Sequence, residues 1–135
     1  MMLWFALALA DTCDEYSPAQ EKPSVQATGL QESSGVAASR VQPGVFFTHD
    51  DGGDPKLFAF DLGGSLIGTY DVPDAELEDW EDMAAAPCPD KGDCLYIGDI
   101  GDNQEDRPNI SIYVVREPEV GDTKVKLVAR YTAVY

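Results

Sequence analysis

Apolar positions along this chain fall in eight short runs, at residues 35–39, 45–49, 56–61, 65–72, 82–86, 95–98, 110–116 and 124–135. The runs are rich in Val, Ile, Phe and Tyr, and clusters of Gly, Pro and Asp separate them, the pattern of strands joined by turns. Asp61-Leu62-Gly63-Gly64 predicts a hairpin turn, because glycine tolerates the positive φ that tight turns need. No segment sustains a 3.6-residue apolar period. Residues 75–86 come nearest, but the acids around Trp80 break the stripe. An all-β chain is expected.

The runs also repeat. Glu32-Ser33-Ser34-Gly35-Val36-Ala37-Ala38-Ser39 returns as Asp79-Trp80-Glu81-Asp82-Met83-Ala84-Ala85-Ala86. Val45-Phe46-Phe47-Thr48-His49-Asp50-Asp51-Gly52 returns as Leu95-Tyr96-Ile97-Gly98-Asp99-Ile100-Gly101-Asp102, and Leu57-Phe58-Ala59-Phe60 as Ile112-Tyr113-Val114-Val115. A period of roughly fifty residues made of short strands and Gly/Asp turns predicts β-propeller blades. Four strands per repeat give two blades, at about residues 29–78 and 79–135, behind a polar, flexible lead-in over 11–28. The small residues Val36-Ala37-Ala38 and Met83-Ala84-Ala85 open each repeat and suit the crowded innermost strands of a propeller. A blade cannot bury both faces alone, and propellers hold roughly four to eight blades. The chain is therefore read as part of a larger propeller, with self-association as the alternative. An apolar strand running to Tyr135 without a polar cap favours the former.

Charge narrows the partners. Nine basic against twenty-five acidic residues give a net charge of −16, which repels nucleic-acid phosphates and anionic membranes and favours cations. No basic stripe is present, and nucleic-acid binding is rejected. Residues 1–10 are an apolar run ending Ala8-Leu9-Ala10, read as a signal-peptide core, although no Lys or Arg precedes Lys22. A buried N-terminal strand or helix turn is the competing reading. The run is shorter than the roughly twenty residues of a membrane span, so no transmembrane segment is expected. Location outside the cytoplasm, secreted or periplasmic, follows from the signal-peptide reading, with a lipid anchor at Cys13 as a minor alternative.

Cys88 and Cys94 bracket a Pro/Asp/Gly turn between two strand-like runs. Cysteines facing each other across a hairpin mouth reach disulfide geometry, and an oxidising compartment would form the bond. Two unrelated thiols are the alternative.

The runs from Glu32 to Arg40, His49 to Asp54, Asp79 to Ala84 and Leu95 to Asn103 resemble the N-terminal part of a family of secreted bacterial β-propeller proteins. The resemblance covers residues 29–118, and Gly98-Asp99-Ile100-Gly101-Asp102-Asn103 is its most specific part. In architecture that family is similar to lactonase-type (gluconolactonase) and phytase-type propellers. The resemblance implies calcium or another divalent ion held by acidic residues around the axis. Full-length relatives continue with further blades carrying more such acidic motifs, which this chain does not contain.

Three acidic loops are the candidate chemistry: Asp50-Asp51-Gly52-Gly53-Asp54, Asp79-Trp80-Glu81-Asp82 and Asp99-Ile100-Gly101-Asp102-Asn103. Calcium takes six to eight oxygens from carboxylates, Asn and backbone carbonyls, and glycines between the acids let the backbone turn toward an ion. Glu81, at the start of a predicted innermost strand, is the leading metal ligand, joined by Asp99, Asp102, Asn103, Asp50 and Asp54. Asp and Gly are also ordinary turn residues, and no loop has EF-hand spacing. Trp80 is read as a packing residue. His49, the only histidine, and Asp51 are the candidate general bases. Function stays open among a ligand- or partner-binding module, a metal-dependent hydrolase of lactonase or phytase type, and a structural cell-envelope propeller.

Overall fold

The computed structural model describes residues 17–134. The apolar run of residues 1–10 and Cys13, on which the signal-peptide and lipid-anchor expectations rest, lie outside them. Eight strands occur: β1 (Ser33–Ala38), β2 (Val45–Asp50), β3 (Lys56–Asp61), β4 (Leu66–Asp71), β5 (Trp80–Pro87), β6 (Asp93–Asp99), β7 (Asn109–Arg116) and β8 (Leu127–Val134). Each predicted run holds a strand, with ends shifted by at most three residues. The largest shift is at β8, where Lys124 instead makes an isolated parallel bridge to Asp71. The segment with the nearest approach to a helical period becomes β5.

The strands form two four-stranded antiparallel meanders, β1-β2-β3-β4 (the first sheet) and β5-β6-β7-β8 (the second), and neither closes on itself. Short connections explain the meander, since antiparallel neighbours need only a tight turn. In the β3–β4 turn, Asp61 Oδ1 accepts from the Gly63 and Ser65 amides, and Gly64 takes a φ of 79°. The β5–β6 hairpin is clamped at its mouth by the Cys88–Cys94 disulfide, which packs on Val114.

One face of each sheet makes the core between them: Ala37, Phe47, Leu57, Ala59 and Tyr70 from the first, and Met83, Leu95, Ile97, Tyr113 and Val115 from the second. The closest approach is between β1 and β5. A Cβ at Gly35 would lie 2.6 Å from the Met83 amide nitrogen, so only glycine lets the two backbones meet. At the opposite end of the sheets, Glu117 is buried and accepts from the Ser39 hydroxyl and the Arg40 amide, tying the β1–β2 turn to the second sheet.

The register corrects the repeat in one place. Asp50 and Asp99 each end the second strand of their sheet, and each accepts from backbone amides just ahead of the first strand, Gln31 and Glu32 in one case and Asp79 in the other. The Asp51 amide donates to the Glu32 carbonyl as the Ile100 amide does to that of Asp79. Asp99 is therefore the counterpart of Asp50, not of His49, and β6 slides by one residue against the sequence alignment. Because side chains alternate with period two, that slip moves every β6 counterpart to the other face.

Candidate functional site

The three acidic loops meet at the sheet ends where Asp50 and Asp99 lie. Asp51 follows β2, and Asp79 and Glu81 flank Trp80 at the start of β5. One carboxylate oxygen from each of Asp51, Asp79 and Glu81 lies within 4.8 Å of the others. The 99–107 loop closes one side. The Ile100 and Gly101 amides both donate to the Asp79 carbonyl at 3.1 Å, and the Asn103 side-chain amide donates to Asp79 Oδ2 at 3.3 Å. A Cβ at Gly101 would collide with the Asp79 carboxylate, so glycine is what allows this approach. Asp51, Asp79 and Asn103 border a cleft of about 300 Å³ lined also by Glu78, Asp102, Gln104, Asp106 and Arg107.

The electrostatics separate this trio from its neighbours. The Arg107 side chain is nearly buried, pairs with Asp99 at 2.9 Å and Glu78 at 3.2 Å, donates to the Gly101 carbonyl, and feels the charge of Asp79 without pairing with it. Asp54 pairs with Lys56. Among the described residues no Lys or Arg pairs with Asp51, Asp79 or Glu81. The Asp51 carboxyl is held above its ordinary value, first by partial burial, then by its hydrogen bond with Asp79 and the charges of Asp79, Glu81 and Glu32.

The remaining sequence candidates are placed elsewhere or otherwise engaged. Asp50 and Asp99 are buried and spent on backbone amides, Asp99 also on Arg107. Asp102 accepts from the Asp106 and Arg107 amides and shapes its own loop. Asp54 points to Lys56. Asn103 touches Asp79, and Glu81 and Asp51 stand in the trio. His49 is fully buried, edge-on to Trp80 with ring centroids 5.6 Å apart. Its Nε2 has no hydrogen-bond partner among the described residues. Burial pushes its imidazole below the ordinary value, against the opposing effect of Asp50 and Asp82. Trp80 is buried and donates to the Glu76 carbonyl, a packing role.

Asp79 lies in one of the three candidate loops but not among the ligands named from the sequence. Its signal was the pair Asp79 and Glu81, which period-two alternation puts on one side of an extended strand. All ligand atoms of the trio are oxygen, without His or Cys, which suits a hard cation such as calcium rather than zinc. The spacing fits as well, since two oxygens bound to one calcium at roughly 2.3–2.6 Å stand no more than about 5 Å apart. Comparison with protein families, with curated proteins and with solved structures finds no match to this chain.

Proposed function

We propose that this chain is a secreted β-propeller module that holds a divalent cation, calcium by its ligand chemistry, between Asp51, Asp79 and Glu81, and binds a ligand or partner at that end. The observation that carries the reading is the convergence of three carboxylates from two loops with no basic partner among the described residues. Like charges held this close repel at neutral pH, and a cation relieves the repulsion. Asn103 donates its side-chain amide to Asp79 Oδ2 and so helps hold that carboxylate in place. The propeller part is supported by two meanders whose second-strand Asp residues make equivalent backbone bonds. Secretion is supported by the Cys88–Cys94 bond, which needs an oxidising compartment to persist.

A hydrolase reading draws on one feature, the raised Asp51 carboxyl at the edge of the cleft, which is the property of a general acid or base. Bound calcium would supply charge stabilisation there. The binding role is preferred because His49, the other candidate base, is buried against Trp80.

Thermal unfolding in calcium and in chelator tests the cation. A ligand that binds only the folded state, at one hundred times its dissociation constant, stabilises by about 2.7 kcal/mol. Millimolar calcium is expected to raise the melting temperature by several degrees, and Asp79→Asn to abolish the rise. Equal melting in calcium and chelator would remove the cation from the account.

A further inference from the structure

We propose that copies of this chain assemble head to tail, the outer face of the second sheet in one copy covering the outer face of the first sheet in the next. The corrected repeat matches the faces of the two sheets residue by residue. With Asp99 matched to Asp50, Phe47 corresponds to Tyr96. Leu57 pairs with His49 and Tyr70, and Ile112 pairs with Gly98 and Tyr131, so Leu57 corresponds to Ile112 and Tyr70 to Tyr131. By the same pairing Ala37 corresponds to Ala84 and Ala59 to Val114.

The five first-sheet residues are buried in the core between the sheets. Their counterparts stand on the far face of the second sheet, where Ile112 is 39% and Tyr131 51% exposed. Among the described residues the second sheet thus leaves Ile112 and Tyr131 of the matching face uncovered, with Val114 already packed against the Cys88–Cys94 disulfide and Asp82 standing where the first sheet has Gly35.

The complementary face is present too. Met83, Leu95 and Val115 are what the second sheet presses against the first. Their counterparts are Val36, Phe46 and Phe60, on the outer face of the first sheet. Val36 is 57% exposed, and the Phe46 and Phe60 rings stack at 5.8 Å beside an apolar groove of about 290 Å³. The 22–25 segment borders that groove and leaves these three side chains lining it. Phe58 and Thr48, the counterparts of Tyr113 and Ile97, are already buried, so the surface left on this face is that of Val36, Phe46 and Phe60. Each chain therefore has exposed parts of both halves of an interface it already makes once internally. A neighbouring copy on each side satisfies both.

Such an interface is heterologous, because the two surfaces differ, and it builds rings or open stacks rather than a two-fold dimer. The inference rests on the repeated-sheet part of the reading above and not on its cation. Assembly is read by sedimentation and cation binding by heat, so either can fail alone.

Sedimentation of the purified chain over a range of concentrations, with circular dichroism to confirm strand content, is the test. Wild type is expected to form oligomers as concentration rises. Val36→Asp removes one surface and Tyr131→Asp the other, both at exposed positions, and each variant alone is expected to stay monomeric. Their equal mixture is expected to form a dimer and nothing larger, since only one intact pair of surfaces remains. If Tyr131→Asp fails to fold, Ile112→Lys takes its place. A folded wild type that stays monomeric at every concentration overturns the proposal, as does a mixture that never dimerises or a single variant that assembles like wild type.

Discussion

The side chains of Asp51 and His49 sit two residues apart and are displaced in opposite senses by their surroundings. Asp51 is pushed toward its protonated form by partial burial and by the acids facing it. His49 is pushed toward its neutral form, because burial between Gly35 and Trp80 disfavours a charged imidazole. The consequence for stability has a definite sign. A folded-state pKa below the unfolded value means that the unfolded chain takes up the proton first, so His49 costs nothing above about pH 6.5 and destabilises the fold as pH falls below it. Denaturant unfolding at pH 7.5 and 5.5 is expected to show lower stability at the acid pH, and His49→Phe to flatten that dependence. An unchanged pH dependence in the variant would contradict the assignment. Asp51 acts the other way: its raised carboxyl favours the fold at low pH, and the benefit is lost as pH rises through its folded value.

Among the elements, the β1–β5 contact is the narrowest fit. Overpacking a site that admits no Cβ forces backbone movement at a cost of about 1–3 kcal/mol. Gly35→Ala is therefore expected to lower the unfolding free energy by that amount and the denaturation midpoint with it, whereas Gly52→Ala, with open space around it, leaves both unchanged. Equal midpoints for the two would show that the sheets do not meet through Gly35. The strands themselves were legible in the sequence because each apolar run is bounded by turn residues. The Cys88–Cys94 pairing was legible for the same reason, the turn between them placing both at a hairpin mouth. The one-residue slip of β6 was not. Val45-Phe46-Phe47 and Leu95-Tyr96-Ile97 are apolar on both faces, so alternation gave no face assignment, and only the Asp50 and Asp99 backbone bonds fix the register. The candidate site was half legible for a related reason. Acid-rich loops announce themselves, but which acids serve the backbone (Asp50, Asp99 and Asp102) and which remain free depends on amides brought in from distant loops.

At the scale of the whole molecule, charge and apolar surface are segregated. The acids gather in the loops at the ends of the strands, while the outer sheet faces present Val36, Phe46, Phe60, Ile112 and Tyr131. A net charge of −16 opposes contact between copies, and salt screens that repulsion over distances beyond about 8–10 Å. The same excess favours cations at the Asp51–Asp79–Glu81 end in the proposed reading, since no Lys or Arg of the described residues pairs with the trio. In the proposed reading an acidic end holds an ion, and the outer faces of the two sheets recruit further sheets. The ion is the central claim of that reading. The most direct measurement is a calorimetric calcium titration of the folded chain beside Glu81→Gln and Asp54→Asn. The account predicts saturable binding by wild type, at least about tenfold weaker binding by Glu81→Gln because one ligand charge is gone, and wild-type affinity for Asp54→Asn, whose carboxylate belongs to Lys56. No binding by a folded wild type, or equal weakening by both substitutions, would contradict it.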